Sequence, residues 1–260
     1  MTNSISFDRA AGFYDQTRLL HEPIAQHGIQ AILDLTGPRS RVLDVGTGTG
    51  RISIPLLERG LDLIGCDLSA KMLLRLQEKL PAAPVAQADA SLLPFPASHF
   101  DAVLTVHVMH LIHPWREALS EFRRVLVSGG LYLNVKTWEA VGNSIRGRMR
   151  DFWRSWLEAQ DIYQRLPGVQ EKEEFFSELR SLGAHFTEME VIRYPLTFTL
   201  NEELERFASR VSSHTWDIPD TVFNASIEAL RTWVNQEYSD LDQPRADEVQ
   251  FLIDVARFEG

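Results

Sequence analysis

Short apolar runs alternate with amphipathic stretches along residues 40–136. Each apolar run has the length of a buried strand, and the stretches between the runs are typical of helices. The pattern predicts four strands, at residues 42–44, 61–67, 87–90 and 99–106. Strands and helices that alternate in this way form a parallel sheet with helices on both faces, so we predict a doubly wound α/β fold.

The pattern changes near residue 138. Residues 145–156 carry apolar side chains at helical spacing, and further helices are predicted at 172–182, at 219–237 and from a cap at Asn201. Two more strands are predicted, at 187–193 and 249–255. Five of the six tryptophans lie in this half of the chain, namely Trp138, Trp153, Trp156, Trp216 and Trp233.

Three glycines at alternate positions, Gly46, Gly48 and Gly50, follow the first predicted strand, with Thr47 between the first two. They leave no Cβ between the backbone and a ligand and allow a turn with positive φ. A short helix is predicted next, so a nucleotide-like ligand could lie against bare peptide N–H groups at its mouth. A dinucleotide fingerprint would need a glycine where Arg51 stands, and a phosphate loop would need a Gly-Lys-Ser/Thr sequence, which this chain lacks.

Acidic residues lie at the ends of the first three predicted strands: Asp44, Asp67 and Asp89. Asp67 comes 21 residues after Gly46, close to the distance at which a βαβ unit delivers a carboxylate to a ribose. Ser69 is placed to cap the helix that follows. Because ligands bind at the carboxyl ends of parallel strands, we expect these acids, the glycines and the segment from His107 to meet at one edge of the sheet.

Two later segments complete an ordered set. Residues 110–114 read His-Leu-Ile-His-Pro, and residues 121–133 read as a helix, a Gly-Gly turn and a fifth strand. Together with the glycine loop and the strand-end acids, they resemble the class I S-adenosylmethionine-dependent methyltransferases, in the small-molecule branch that includes the ubiquinone and menaquinone biosynthesis enzymes. His113 stands where that family has an acid, and Ser128 where it usually has proline. The resemblance covers residues 42–133.

The resemblance implies a Rossmann-like methyltransferase fold with a mostly parallel seven-stranded sheet, and S-adenosyl-L-methionine as the cofactor. It implies that Asp44 and the loop Gly46-Thr47-Gly48 to Gly50 contact the methionine part. Asp67 would accept both ribose hydroxyls, and Leu68 and Met72 would flank the adenine. Asp89, with Ala90 beside it, would bind the exocyclic amine; the alternative for Asp89 is a turn or cap residue.

Residues 7–18 resemble the amino-terminal Tyr-Asp segment of that family, which folds over the cofactor. The resemblance implies that Tyr14 reaches the sulfonium end and Arg18 the carboxylate. A surface helix is the alternative for this segment.

Three histidines, His107, His110 and His113, recur every third residue after the fourth predicted strand. A strand-to-helix turn seldom makes three such side chains converge, so we expect no metal there. His107 is the candidate for facing the transferred methyl group, since imidazole can act as a base near neutral pH. A structural histidine in the turn is the alternative, and His214 is a second candidate.

Composition and charge limit the partners, the cysteine chemistry and the cellular location that we expect for the protein. A net charge of −10 over 260 residues argues against a nucleic-acid partner. The single cysteine, Cys66, excludes a disulfide framework and a cysteine-zinc site. We expect no secretory signal and no membrane span, and therefore a soluble cytoplasmic protein, as a monomer or homodimer. The cluster Arg146, Arg148, Arg150 and Arg154 is interpreted as the solvated side of a helix.

The helical pattern in the second half of the sequence predicts a cap over the ligand cleft. We divide the chain into a core with an N-terminal lid segment (1–137), a helical insertion (138–170), a core helix and strand (171–199), a second helical insertion (200–245) and a final core strand (246–260). The predicted acceptor pocket comprises His110, Trp153, Trp156, Phe207, His214 and Trp216. The alternative is that these aromatic residues only fill the core of the inserted part.

The sequence therefore predicts a methyltransferase that acts on a small molecule by in-line displacement. Two alternatives stay open at this stage. One is a non-catalytic cofactor-binding or regulatory protein of the same fold, because this chemistry has no obligatory side chain. The other, a nicotinamide-dependent oxidoreductase, is disfavoured by Arg51 at the third fingerprint position.

Overall fold

The computed structural model describes residues 4–17, 22–139, 144–162 and 166–259. The strands of this part of the chain are β1 Arg41–Val45, β2 Asp62–Asp67, β3 Val85–Gln87, β4 Phe100–Val106, β5 Leu126–Glu139, β6 Ala184–Phe198 and β7 Arg245–Phe258. They form one seven-stranded sheet in the order β3-β2-β1-β4-β5-β7-β6. Its pairs from β3 to β5 are parallel. The predicted Rossmann-like sheet is confirmed.

The described helices are α1 Tyr14–Thr17, α2 Glu22–Thr36, α3 Ser53–Glu58, α4 Ala70–Lys79, α5 Trp115–Val125, α6 Ile145–Glu158, α7 Lys172–Ser181, α8 Leu200–Ala208 and α9 Asp220–Glu237. Single 3-10 turns lie at Met109–Leu111 and Ser213–Thr215. The sequence pattern did not predict α2. This helix packs closely on β7, because a Cβ on Gly28 would lie only 2.2 Å from the ring of Phe251.

The central strands explain why the pattern of apolar runs was informative. Four of the five residues of β1 and five of the seven of β4 are buried, as expected for parallel strands that are covered on both faces. β2 lies on one side of β1 and β4 on the other. The strand order therefore reverses between β1 and β4, which is where open α/β sheets bind their ligands.

Two local predictions are wrong. Thr199, rather than Asn201, caps α8: its hydroxyl accepts from the N–H of Glu202, whose carboxylate accepts from the N–H of Thr199. This reciprocal capping box satisfies two N–H groups at once. The predicted Gly-Gly turn lies inside β5, where the register with β4 shifts, and Gly129 has φ +76°. The extra residues are accommodated as a bulge rather than a turn.

The chain divides into two compact units. The first comprises Met1–Lys136, Leu166–Ile192 and Phe251–Gly260, and its core packs the sheet against α5 and α7. The second comprises Thr137–Arg165 and Arg193–Gln250, and its core joins α6, α8 and α9. Within the second unit, Arg146 pairs with the buried carboxylate of Glu203. Over the described ranges, no helix is long and apolar enough to cross a membrane.

Candidate functional site

The glycine loop follows β1 at the point where the strand order reverses. Gly46 has φ +77°, and a Cβ there would lie 2.6 Å from Cγ2 of Val108, which follows β4. Gly50 has φ +84°, and a Cβ there would lie 2.7 Å from Ile54 and 2.8 Å from Leu76. A side chain at either position would clash and strain the backbone, so both positions require glycine.

The N–H groups of this loop are used within the protein. Gly46 and Thr47 both donate to the carbonyl of Cys66, at 2.8 and 3.0 Å, and Gly48 donates to Oδ2 of Asp67 at 2.9 Å. The expectation of bare N–H groups is therefore wrong for these three residues. The loop is bonded to the end of β2 instead, and what it offers a ligand is close approach to the backbone.

Asp67 ends β2 and joins the loop to α4. Its Oδ2 accepts from Gly48, and its Oδ1 accepts from the N–H of Ser69 at 2.8 Å. Burial raises the pKa of this carboxyl above its ordinary value, the two backbone bonds oppose the rise, and the charge of Asp8 adds to it. Ser69 caps α4 by accepting from Met72, as predicted from its position.

Asp44 lies in the interior of the site at 1% exposure. Its Oδ2 accepts from the hydroxyl of Ser53, which also bonds the hydroxyl of Thr47. Its Oδ1 is buried and has no hydrogen-bond partner among the described residues. Burial raises the pKa of Asp44 to about 6, the nearby hydroxyls of Ser53 and Thr47 oppose the rise, and the charge of Asp67 adds to it. A buried carboxylate oxygen without a donor is costly and indicates a place where a donor binds.

Of the predicted adenine-binding residues, Met72 lies against this loop. Met72 is buried, and its Cε lies 3.4 Å from the position of a Cβ on Gly48. Leu68 is half-buried and Ala90 is buried. Oδ1 of Asp89 accepts from both the N–H and the hydroxyl of Ser91, which matches the turn role considered for it and leaves its role toward the amine a prediction.

Residues 4–17, here called the strap, reach three parts of the site. Ile5 donates to the carbonyl of Leu111 at 3.1 Å, and Asp8 accepts from Ser69 at the start of α4. Asp15 contacts Thr49 of the glycine loop and Lys79 of α4. Tyr14 begins α1, with its ring edge-on to that of Phe7. Arg18 lies outside the described residues.

Asp8, Asp15 and Lys79 were missed as site residues. The two acids belong to the segment quoted for its resemblance, but their partners are distant in sequence. Asp8 lies near the N-terminus of α4 only in the folded chain, where a carboxylate stabilises that end of a helix, so the sequence carried no signal for it. Nothing in the sequence paired Asp15 with Lys79.

The predicted histidines lie in the turn after β4, residues 107–113. His107 has φ +51°, is half-buried, and donates its N–H to the carbonyl of Val135 at 3.2 Å. His110 lies in a 3-10 turn, and His113 is exposed. Positive φ at a residue other than glycine is uncommon and concentrates at functional positions. The role of His107 as a base stays a prediction.

This turn is fixed by a second distant segment, residues 166–170. Gly168 donates to the carbonyl of His110 and Val169 to that of Met109, both at 3.0 Å. The approach is so close that a Cβ on Gly168 would lie 2.1 Å from the Met109 oxygen. Gln170 braces the segment by donating to the carbonyls of Leu166 and Gly168. Residues 166–170 therefore position the turn that carries His107 and His110.

The remaining predicted pocket residues belong to the second unit. Trp153 is 2% exposed and donates its indole N–H to Ser226 at 2.9 Å. The rings of Phe207 and His214 lie against it, with centroids at 5.8 and 5.5 Å. Trp156 and Trp216 are half-buried. Trp153 is thus a core residue of its unit, and a pocket that these residues share with His107 and His110 stays a prediction.

We expect Asp44→Asn to change how stability depends on pH. Because the pKa of Asp44 is raised from 3.8 to about 6 in the folded protein, the folded state binds a proton that the unfolded state releases between these values. The contribution of Asp44 to the free energy of unfolding therefore falls as the pH rises toward 6 and is constant at higher pH. Between pH 4.5 and 6.5 the wild type should lose about 2 kcal/mol relative to the variant.

Urea denaturation at both pH values measures the difference. Asp62→Asn, at the exposed start of the neighbouring strand β2, is the matched control. An Asp44→Asn protein with the same pH dependence as the wild type would contradict the assignment of a raised pKa to Asp44.

Gly168→Ala should displace residues 166–170 from the turn. The added Cβ cannot fit beside the Met109 carbonyl, so the two backbone hydrogen bonds are lost, at a cost of about 2 kcal/mol in the free energy of unfolding. Hydrogen exchange should show faster exchange at the amides of residues 168 and 169. Gly12→Ala is the control, since a Cβ there meets nothing within 4 Å. Unchanged protection at both amides would show that the close approach is not required.

Residues 43–134 match the family described as methyltransferase domain. An uncharacterised methyltransferase of Mycobacterium tuberculosis is 36% identical over 127 residues, 49% of this chain and 50% of that protein. A demethylmenaquinone methyltransferase of Beutenbergia cavernae is 35% identical over 127 residues, 48% of this chain and 53% of that protein. The match thus spans about half the length of these curated relatives.

A solved structure extends the likeness in fold. The phosphoethanolamine N-methyltransferase 2 of Haemonchus contortus, in complex with phosphomonomethylethanolamine and S-adenosylhomocysteine, superposes with a TM-score of 0.55. The comparison covers 97% of this chain and 58% of that chain at 18% identity, so it shows a shared fold and no more. The sequence match and the sheet order agree on the same segment of the chain. Residues 43–134 therefore correspond in sequence to a methyltransferase domain.

Proposed function

We propose that this protein transfers a methyl group from S-adenosylmethionine to a small-molecule acceptor. One observation carries the proposal: two carboxylates, Asp44 and Asp67, flank the glycine loop where the strand order reverses, and Oδ1 of Asp44 is buried without a donor from the described part of the chain. A ligand that brings an ammonium group and a pair of hydroxyls would satisfy both carboxylates. The methionine amino group and the ribose of the cofactor are such groups.

The residues present fit this cofactor. Asp44 would hold the ammonium group, which supplies the missing donor and favours the ionised carboxylate. An ionised carboxylate can accept about four hydrogen bonds, and two positions of Asp67 are taken by Gly48 and Ser69. Two positions are left for the ribose hydroxyls. Met72 and Leu68 would flank the adenine, with Ala90 beside them and Asp89 at the amine.

The methyl carbon of a sulfonium is already activated when the cofactor is bound. The protein then has to place the acceptor in line with the sulfur and exclude water, and such positioning supplies much of the acceleration. His107 lies in the turn whose Val108 is close to Gly46, and we propose that it takes a proton from an acceptor that arrives protonated. Tyr14 of the strap and Arg18 would act at the sulfonium end and the carboxylate.

The acceptor is proposed to be a small planar or apolar metabolite. The relative from Beutenbergia cavernae is named for demethylmenaquinone, which makes a reduced naphthoquinone the first acceptor to test. We propose that the pocket for this acceptor has aromatic residues of the second unit in or behind its wall, namely Trp153, Trp156, Phe207, His214 and Trp216. A covered pocket would exclude proteins and nucleic acids, and a net charge of −10 disfavours nucleic acids as well. We propose a cytoplasmic monomer or homodimer.

Cofactor binding by one site per chain is the first expected result. Calorimetry should show binding of S-adenosylmethionine and S-adenosylhomocysteine and none of NAD. Asp67→Ala should weaken binding by roughly ten- to a thousandfold, since two hydrogen bonds to a charged acceptor are lost. Asp62→Ala, at the exposed start of the same strand, is the matched control and should bind as the wild type does. Saturable NAD binding without S-adenosylmethionine binding would overturn the proposal.

Methyl transfer itself separates an enzyme from a non-catalytic cofactor-binding protein. The wild type is incubated with methyl-labelled S-adenosylmethionine and a panel of small acceptors that includes reduced naphthoquinones. Label in an acceptor, lost in Asp67→Ala, is the expected result. Cofactor binding without transfer to any member of a broad panel would favour the regulatory alternative.

A further inference from the structure

The strap is tied to both ends of helix α4. Asp8 accepts from the hydroxyl of Ser69 and, at 3.3 Å, from the N–H of Lys71 at the start of the helix. Asp15 pairs with Lys79, the last residue of the helix, with 2.7 Å between Nζ and Oδ2. A helix of ten residues is about 15 Å long. The strap therefore spans the whole length of α4.

The second tie also includes the glycine loop. The hydroxyl of Thr49 donates to Oδ1 of Asp15 at 2.5 Å, and Nζ of Lys79 donates to the carbonyl of Thr49 at 2.8 Å. Thr49 lies between Gly48 and Gly50 and is 1% exposed. The three residues Asp15, Thr49 and Lys79, here called the latch, thus close a ring of contacts that joins the strap, the loop and α4.

The charges of the latch are set by its own contacts. Partial burial opposes ionisation of Asp15, but the hydrogen bonds from Lys79 and Thr49 and the charges of Lys79 and Arg51 outweigh it and lower its pKa. The side chains of Lys79 and Asp15 are 39% and 47% exposed. Exposed ion pairs contribute little to folding stability, so the latch matters for geometry rather than for stability.

The latch adds a fixed point at the glycine loop beyond the bonds of Gly46, Thr47 and Gly48. Glycines lose more conformational freedom than other residues when they are ordered, and a loop that is ordered beforehand binds its ligand with a smaller loss. The latch holds the loop through both the side chain and the carbonyl of Thr49. Because the same contacts hold this end of the strap, opening the strap at Asp15 and releasing Thr49 require the same bonds to break.

We propose that Asp15 and Lys79 are positioning residues that act through Thr49, holding the glycine loop and the strap closed together and slowing the departure of the bound cofactor. This inference rests on the proposed function, because it takes S-adenosylmethionine and its product as the ligands of the loop. Neither residue is assigned a contact with the cofactor. The latch acts mainly on the rate at which the cofactor dissociates. While it is closed, it also delays binding of the cofactor.

The test uses the full chain with S-adenosylhomocysteine as the probe, and stopped-flow displacement to measure its dissociation and association rates. Asp15→Asn and Lys79→Met each remove one charge of the latch, and Thr49→Val removes the hydroxyl at nearly constant volume. The matched controls come from the exposed Arg75–Glu78 pair of the same helix, at 2.7 Å. Arg75→Met and Glu78→Gln make the same charge changes without contact to the loop.

Each latch variant should release S-adenosylhomocysteine about three- to tenfold faster than the wild type, without slower association. Combining Asp15→Asn with Thr49→Val should add little to either change alone, because both break the same link. Raising the salt concentration should speed release from the wild type more than from Lys79→Met. A merely structural role would instead lower the melting temperature and slow association.

Dissociation rates in the latch variants equal to those of the controls would overturn the inference, as would fully additive effects of Asp15→Asn and Thr49→Val. In both cases binding by the wild type leaves the proposed function intact. A wild-type protein that does not bind S-adenosylhomocysteine would overturn the proposed function and this inference together.

Discussion

The close approach of the loops that follow β1 and β4 is the constraint on which the site depends. Gly46 lies so near Val108 that a Cβ would fall 2.6 Å from it, and this contact fixes the glycine loop against the turn 107–113. The same turn accepts backbone hydrogen bonds from Ile5 of the strap and from Gly168. Four distant parts of the sequence therefore meet at one point, and displacement of the turn would be felt in both the proposed cofactor site and the proposed acceptor site.

The burial of Asp44 in this arrangement lowers the stability of the fold. This carboxylate is 1% exposed, its pKa is raised to about 6, and one of its oxygens has no partner within the described ranges, which is unfavourable for folding. Such groups are expected at functional sites, where stability is given up for a prepared binding geometry. Trp153 is the opposite case, because its buried ring and satisfied N–H are fully accounted for by packing within the second unit.

The sequence predicted the parts of the site that follow from strand patterning. Asp44, Asp67 and the loop glycines come directly after apolar runs, and the carboxyl ends of parallel strands meet at one edge. It missed contacts between distant segments, such as Asp15 with Lys79 and Gly168 with His110, because no local pattern encodes them. Thr199 was missed as a cap because Asn201, two residues on, has a similar propensity, and only the Thr199–Glu202 capping box decides between them. Aromatic spacing, finally, does not distinguish the core of a unit from the wall of a pocket.

Determining a crystal structure of the protein with S-adenosylhomocysteine would test the central claim most directly. The account predicts the ligand beside the carboxyl ends of β1 and β4, with its amino group within about 3.2 Å of Oδ1 of Asp44 and both ribose hydroxyls bonded to Asp67. It also predicts the sulfur facing the turn 107–113 and shielded from bulk solvent. A ligand bound elsewhere, an Oδ1 of Asp44 that is still without a donor, or a sulfur open to bulk solvent would contradict the account.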